Sequence, residues 1–418
     1  MKVKVLGAGL EVGRSGFLVN ADGANYLLDY GVNLGRNLAV PLHVMPKEVD
    51  SIIISHAHLD HSGYVPLMYV SGNADVYATP PTFDLSRLLI EDMLRLEKDA
   101  HPFGIPEVDQ MYSHAVPISY KQKIRRGNSS FELRESGHVV GGGAVLVESD
   151  GKKLFYTGDV NVHGSRMLRE MDLDIGDIDL LITESTYSQT SQMPRKESEE
   201  KLIEFANEVL DQKGTLFIPS FSVERSQEIA CVLKNAKFKH KIVMDGMALK
   251  VNEVILQYPE YLRDYEVFRD AVKNTVWIKN QGHRKRELSE PCVVISPAGM
   301  LVGGNAVYYL QELAFDKKNG IALVSYQGEG TPGRKLLETG KVMIRGREAK
   351  AEAQVRQFEF SGHADRDALF EMVGRIKGNP KVLTVHGDGN SCTKFAEEIH
   401  QKFGFDARAP EIGETVTV

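Results

Sequence analysis

The sequence predicts an α/β protein in which a strand-rich domain is interrupted by a segment of different texture. Three observations lead there. Up to about residue 185, short apolar runs succeed one another, each closed by Gly, Asp or His. From about 196, helix-period segments alternate with strand-like ones. From Glu352 onward, strands ending in polar residues return. In order, the first part reads as strands at Val3–Leu6, Phe17–Val19, Tyr26–Leu28, Ser51–Ile54, Ala144–Val147, Leu154–Tyr156 and Leu180–Ile182. A helix over Thr82–Lys98 interrupts them, with apolar residues recurring at three and four. The middle reads as helix Glu197–Gln212, strand Gly214–Pro219, helix Glu224–Ala236 and strand Lys241–Asp245. It continues through Pro291–Ser296 and Ile321–Ser325. Glu352–Glu359 and Lys381–His386 close the series as strands. No repeat, low-complexity tract or Pro/Ser-rich linker separates the parts, so the middle reads as an insertion into one domain.

At 418 residues the chain exceeds one typical domain of about 100–200 residues. Hydrophobic residues at 42% and charged residues at 26% exclude disordered, collagen-like and disulfide-scaffold classes. No run approaches the roughly 18 apolar residues of a membrane span, and Met1–Gly7 lacks the apolar core of a signal peptide, so a cytoplasmic protein with no membrane partner is expected. Cys231, Cys292 and Cys392 are widely spaced, which indicates neither a disulfide framework nor a thiolate zinc site. The net charge of −7 weighs against nucleic acid, yet residues 189–355 hold 25 Lys and Arg against 22 Asp and Glu. That middle third carries basic clusters at Lys237/Lys239/Lys241, Arg284-Lys285-Arg286, Arg334-Lys335 and Arg345/Arg347. Clusters of that size are commonly solvated faces.

The chemistry concentrates where strands end. Ser51-Ile52-Ile53-Ile54-Ser55-His56-Ala57-His58-Leu59-Asp60-His61 is an apolar strand that stops at three histidines and an aspartate. His56 and His58, two apart, point to one side, while Asp60 and His61 lie around the following turn, so the four face one cavity as two ligand pairs. This is not the four-residue helical spacing of H-E-x-x-H peptidases. Asp29, His138, Asp159, Glu184, His363 and His386 each follow an apolar or strand-like segment. Converging a site from several loops requires such residues at one edge of a sheet. Five histidines (His56, His58, His61, His138, His386) with Asp60 and Asp159 suit two Zn²⁺ ions sharing a bridging aspartate and hydroxide. Two look-alikes fail. Gly7-Ala8-Gly9-Leu10-Glu11-Val12-Gly13 has one residue too many for a dinucleotide loop and leads into a strand. Ser361-Gly362-His363-Ala364-Asp365 is no serine triad, because triads assemble in space rather than from sequence neighbours.

Asp29, His56-x-His58-x-Asp60-His61, His138 and Asp159, in that order, resemble the metallo-β-lactamase superfamily. Glu184, His363 and His386 match the three additional motifs of the β-CASP nucleases within it. Leu6–Ser15, Ser296–Leu301 and Tyr326–Arg334 resemble the branch of the cleavage-and-polyadenylation nuclease subunit, in its archaeal-type form without KH domains. The resemblance implies an α/β architecture: a metallo-β-lactamase αββα sandwich over 1–188 and 356–418, with an inserted α/β β-CASP domain at 189–355. It implies that His56, His58 and His138 hold one zinc, Asp60, His61 and His386 the other, and Asp159 bridges them. Asp29 and Glu184 would support these ligands from behind. His363, supported by Glu184, would donate to the leaving oxygen, with Ser361 and Gly362 beside it near the scissile phosphate. Ser222, Arg225 and Arg334 of the insertion would contact RNA backbone. His386 at the last motif is the pattern of RNA-processing members. The implied activity is hydrolysis of RNA phosphodiester bonds in RNA processing or decay, leaving 5′-phosphate and 3′-hydroxyl. It would be endonucleolytic on single-stranded RNA, with a 5′–3′ exoribonuclease as the alternative and a small-molecule metallohydrolase or inactive scaffold further off. A homodimer, or membership of an RNA-processing complex, is the expected assembly.

Overall fold

A computed structural model describes residues 1–33, 38–97, 100–344 and 346–418. Lys98 of the expected helix and Arg345 of the basic clusters lie outside the described residues. The chain forms two compact units, one of residues 1–164, 169–191 and 363–418, the other of 165–168 and 192–362.

Among the described residues the first unit holds two seven-stranded sheets. Alternation along each strand sends one set of side chains between the sheets and the other set beneath helices. In Gly143–Ser149, Val145 and Val147 join Phe17, Val19, Leu28 and Ile53 in the inter-sheet core, whereas Ala144 and Leu146 pack outward with Leu369 and Phe395. Leu369 lies on helix Arg366–Arg375 and Phe395 on helix Gly389–Phe403. On the opposite sheet Leu27, Ile52 and Val76 pack with Phe83, Ile90 and Met93 of helix Pro80–Leu96. The result is the expected αββα sandwich. That helix starts two residues before the expected Thr82 because Thr79 accepts the Thr82 N–H at 3.4 Å, and Pro80 and Pro81 suit a first turn whose N–H groups have no partners.

Strand direction places the chemistry. Ala24–Tyr30 runs parallel to Ser51–Ile53 in one sheet, and Lys152–Tyr156, Leu180–Glu184 and Lys381–Val385 are mutually parallel neighbours in the other. Gly143–Ser149 is antiparallel to Lys152–Tyr156, so the loop that precedes it, carrying His138, reaches the end where Asp159 follows. Residues far apart in sequence therefore meet at one edge.

In the second unit a six-stranded sheet has every pairing parallel, in the order Thr275–Trp277, Ile242–Met244, Val293–Ser296, Leu216–Pro219, Gly320–Leu323, Gln354–Gln357. Its central strands are buried along their whole length, as helices on both faces of a parallel sheet demand. Gly320 is required there: a Cβ would lie 2.6 Å from Val209 and 2.9 Å from Phe205 of helix Arg195–Asp211. The strand expected over Glu352–Glu359 is Gln354–Gln357 and belongs to this sheet, so the unit runs through Gly362 rather than ending at 355. Among the described residues no helix is long and apolar enough to cross a membrane.

A buried charge cluster ties this unit together. Glu228 accepts the backbone N–H groups of Arg166 and Met167 at 3.0 and 3.1 Å and pairs with Arg195 at 2.6 Å. Neighbouring Glu224 is also buried; burial first, then the Glu228 charge, push its carboxyl up to about 8. Its folded value lies above the unfolded value, so its contribution to stability is full below about pH 4.5 and is lost as pH rises through about 8. Glu224→Gln is therefore expected to change stability little at pH 5 and to stabilise at pH 8. The slope removed is up to about 1.4 kcal/mol per pH unit, read from denaturant midpoints at the two pH values.

Candidate metal centre

The first unit gathers the predicted ligands into two groups that share Asp159: His56, His58 and His138 on one side, Asp60, His61 and His386 on the other. Within each group the candidate ligand atoms all lie within 4.8 Å of one another. In the first, His58 Nδ1 is 3.2 Å from His56 Nε2 and 3.3 Å from His138 Nε2, and Asp159 Oδ2 is 3.6 Å from both Nε2 atoms. In the second, Asp159 Oδ1 is 3.3 Å from His61 Nε2 and 3.3 Å from His386 Nδ1, and Asp60 Oδ2 is 3.3 Å from His386 Nε2.

The separations in the first group are close to those around a metal. A tetrahedral ion with ligand bonds of about 2.0–2.2 Å has edges of about 3.3–3.6 Å. Asp159 Oδ1 is buried and accepts no hydrogen bond among the described residues, a costly state for a carboxylate oxygen that a cation would relieve. The two Asp159 oxygens address different histidine groups, as a shared ligand requires. Electrostatics agree: burial opposes the Asp159 charge, but the surrounding histidines, His386 and His61 foremost, outweigh it and hold the carboxyl well below its ordinary range. His56 is pushed down, by burial and then by the neighbouring His61.

Local structure explains the placement. The turn that carries Asp60 and His61 is a short helix, Leu59–Ser62, with His58 at its N-cap. Ser62 Oγ donates to the Ala57 carbonyl at 2.9 Å, closing that turn. The Asp60 carbonyl accepts the Ser15 N–H at 2.8 Å, and Gly31 permits the approach, because a Cβ there would lie 1.8 Å from that same carbonyl oxygen. Asp29 and His386 hold left-handed backbone, with φ of 56° and 51°, conformations that non-glycine residues adopt at a cost.

The expected supports stand behind the ligands. Asp29 accepts from His61 Nδ1 at 2.8 Å. Glu184 accepts the Val160 N–H at 2.7 Å and contacts His363 Nδ1 at 2.9 Å. Burial pushes the His363 imidazole down, but the Glu184 and Asp159 carboxylates outweigh it and hold it up at about 9. His363 lies outside both histidine groups but makes a third group with Asp159 and Glu184, its Nδ1 3.9 Å from Asp159 Oδ2. Ser222, Arg225, Arg334, Ser361 and Gly362 all belong to the second unit. Arg225 is buried beside Glu224 and Glu228, while Arg334 is half-exposed and pairs with Glu338 at 2.5 Å. Sequence reasoning missed the hydroxyls of Ser55, Tyr156 and Thr186. Tyr156 donates to Asp29 at 2.7 Å, and Thr186 Oγ lies 3.2 Å from His386 Nδ1. Their one signal was adjacency to the motifs, which carries no direction.

The two-sheet sandwich carries at its strand ends a His/Asp cluster able to hold metal ions. The Metallo-beta-lactamase superfamily domain matches residues 18–188, the Beta-Casp domain 226–336, and the Zn-dependent metallo-hydrolase RNA specificity domain 348–410. RNase aCSPSF2 of Saccharolobus solfataricus is 34% identical, over 100% of this chain and 85% of that protein. Transcription termination factor FttA of Thermococcus kodakarensis is 33% identical, over 98% of this chain and 70% of that protein. A protein of unknown function from Enterococcus faecalis V583, known from a crystal structure, superposes with a TM-score of 0.67. It is 16% identical, with 100% of this chain and 99% of that one covered, a likeness of fold alone. The chain belongs to the metallo-β-lactamase/β-CASP ribonuclease family.

Proposed function

We propose that the protein is a zinc-dependent ribonuclease that cuts single-stranded RNA internally, leaving 5′-phosphate and 3′-hydroxyl ends. The observation that carries this reading is Asp159: a buried carboxylate whose two oxygens each face a separate histidine group, one of them without a hydrogen bond among the described residues. His56, His58 and His138 would hold one zinc and Asp60, His61 and His386 the other, with Asp159 between. Two such ions, when bound, lower the pKa of water toward about 7 and place positive charge against a phosphate.

The chain's own residues supply the rest. Asp29 accepts the Nδ1–H of His61, which leaves the Nε2 lone pair on the side that faces Asp159, free for an ion held between them. Glu184 holds His363 through Nδ1, leaving the other ring nitrogen to give a proton to the departing 3′ oxygen. Ser361 and Gly362, immediately before His363, are placed in sequence to contact the scissile phosphate. Arg334 of the insertion, half-exposed and paired with Glu338, offers its guanidinium to backbone phosphates.

The test uses single-stranded RNA labelled at the 5′ or the 3′ end. Internal fragments from the 5′-labelled strand, lost on chelation and restored by zinc, are the expected result. Release of only mononucleotide from that label would replace the reading with 5′–3′ exonuclease action. No cleavage by protein carrying two zinc ions would contradict both.

A further inference from the structure

Hydroxyl groups that no motif includes lie against the candidate ligands and the carboxylate behind them. Asp29 is fully buried and receives four donors. Its Oδ1 accepts the Ser55 backbone N–H at 2.7 Å; its Oδ2 accepts the Tyr156 hydroxyl at 2.7 Å, the Ser55 hydroxyl at 2.7 Å and His61 Nδ1 at 2.8 Å. An ionised carboxylate only accepts, so each of these contacts has its hydrogen on the partner. Ser55 has one hydroxyl hydrogen, and it is committed to Asp29.

The same Ser55 Oγ lies 3.0 Å from His56 Nδ1. With its hydrogen spent on Asp29, the oxygen can only accept there, so His56 carries its hydrogen on Nδ1. Nε2 is then the lone-pair nitrogen, 3.2 Å from His58 Nδ1 and 3.6 Å from Asp159 Oδ2. The reverse arrangement would set the Ser55 oxygen and Asp29 Oδ2 lone pair to lone pair at 2.7 Å in a buried site. Gly158 closes the hydroxyl in from the loop that carries Asp159: a Cβ at 158 would lie 3.0 Å from both Ser55 Cβ and Oγ.

We propose that Asp29 sets the imidazole tautomers of both halves of the centre, of His61 by direct contact and of His56 through the Ser55 hydroxyl, which makes Ser55 a positioning residue. The inference rests on the reading of the two histidine groups as metal subsites. It predicts an asymmetry: the Ser55 hydroxyl is 3.0 Å from His56 Nδ1 and 3.4 Å from His61 Nδ1, whose hydrogen goes to Asp29 at 2.8 Å, so its loss falls mainly on the subsite of His56, His58 and His138, whereas loss of the Asp29 charge falls on both. The fully buried Tyr156 holds Asp29 from the inter-sheet core and serves the same arrangement.

The experiment is stepwise Zn²⁺ binding to the full chain by chelator competition, together with ¹H–¹⁵N spectra of the histidine ring N–H groups in the zinc-loaded protein. The variants are Ser55→Ala, Ser55→Thr and Asp29→Asn. Ser55→Ala is expected to weaken one of the two steps by about 10–100-fold and to remove the slowly exchanging His56 Nδ1–H signal. Ser55→Thr, which keeps a hydroxyl, should retain both affinities and that signal. Asp29→Asn should weaken both steps. A Ser55→Ala protein that binds two zinc ions as the wild type does, or a Ser55→Thr protein that loses as much as Ser55→Ala, overturns the inference and leaves the dinuclear reading standing. A wild-type chain that binds fewer than two zinc ions overturns that reading, and the inference with it.

Discussion

Asp159→Asn is expected to lower RNA cleavage by roughly 10³-fold or more while leaving the fold intact. The substitution preserves volume at a site that is 3% exposed, so packing against the core is unchanged. It removes one negative charge and turns one oxygen into an NH₂ donor. With both oxygens facing histidine nitrogens at 3.3–3.6 Å, either rotamer sets that donor against a ring nitrogen that should instead share an ion. Far-UV circular dichroism should match wild type, and tightly bound zinc should fall below two per chain. Retention of two ions with full activity would remove Asp159 from the shared position.

His363→Ala should act differently. Its imidazole lies outside both histidine groups and is held by Glu184 at 2.9 Å, so its loss is expected to reduce kcat by about 10²–10⁴-fold. Metal content should stay at the wild-type level and KM close to it. A general acid matters in proportion to the basicity of the leaving group. A substrate with a 3′-thio leaving group should therefore narrow the gap between His363→Ala and wild type. An unchanged gap would make His363 a contact for the phosphate rather than a proton donor.

Much of this was legible in the sequence, for definable reasons. Strands such as Leu180–Glu184 and Val293–Ser296 are short, β-branched or leucine-rich, and closed by polar residues, so both existence and position follow from pattern. The candidate ligands announce themselves because imidazole and carboxylate groups at strand ends have few other reasons to cluster. Helices Met247–Ile255 and Gly304–Leu313 were not anticipated: each is short and has a glycine N-cap, Gly246 and Gly303, with no side-chain cap. Gly389–Phe403 was also missed, although Asp388 caps it by accepting the Ser391 N–H. The return of the chain to the first unit could not be placed, because Gln354–Gln357 reads as an edge strand of either sheet and only its pairing with Gly320–Leu323 decides. Arg225 shows the limit for surface contacts. It falls at the start of the expected helix Glu224–Ala236, and helix period does not say that its guanidinium is buried beside two carboxylates of that same helix start. The supports at Ser55 and Tyr156 were invisible for another reason, since a hydroxyl beside a motif carries no indication of its partner until both sheets are assembled.

The most direct test of the dinuclear centre is the metal content of the purified chain after equilibration with zinc and removal of loosely bound ion, measured beside Asp159→Asn. Two tightly held zinc ions per wild-type chain, and fewer in the variant, are predicted by the geometry around Asp159. One ion or none in the wild-type chain, or two in both proteins, would contradict it.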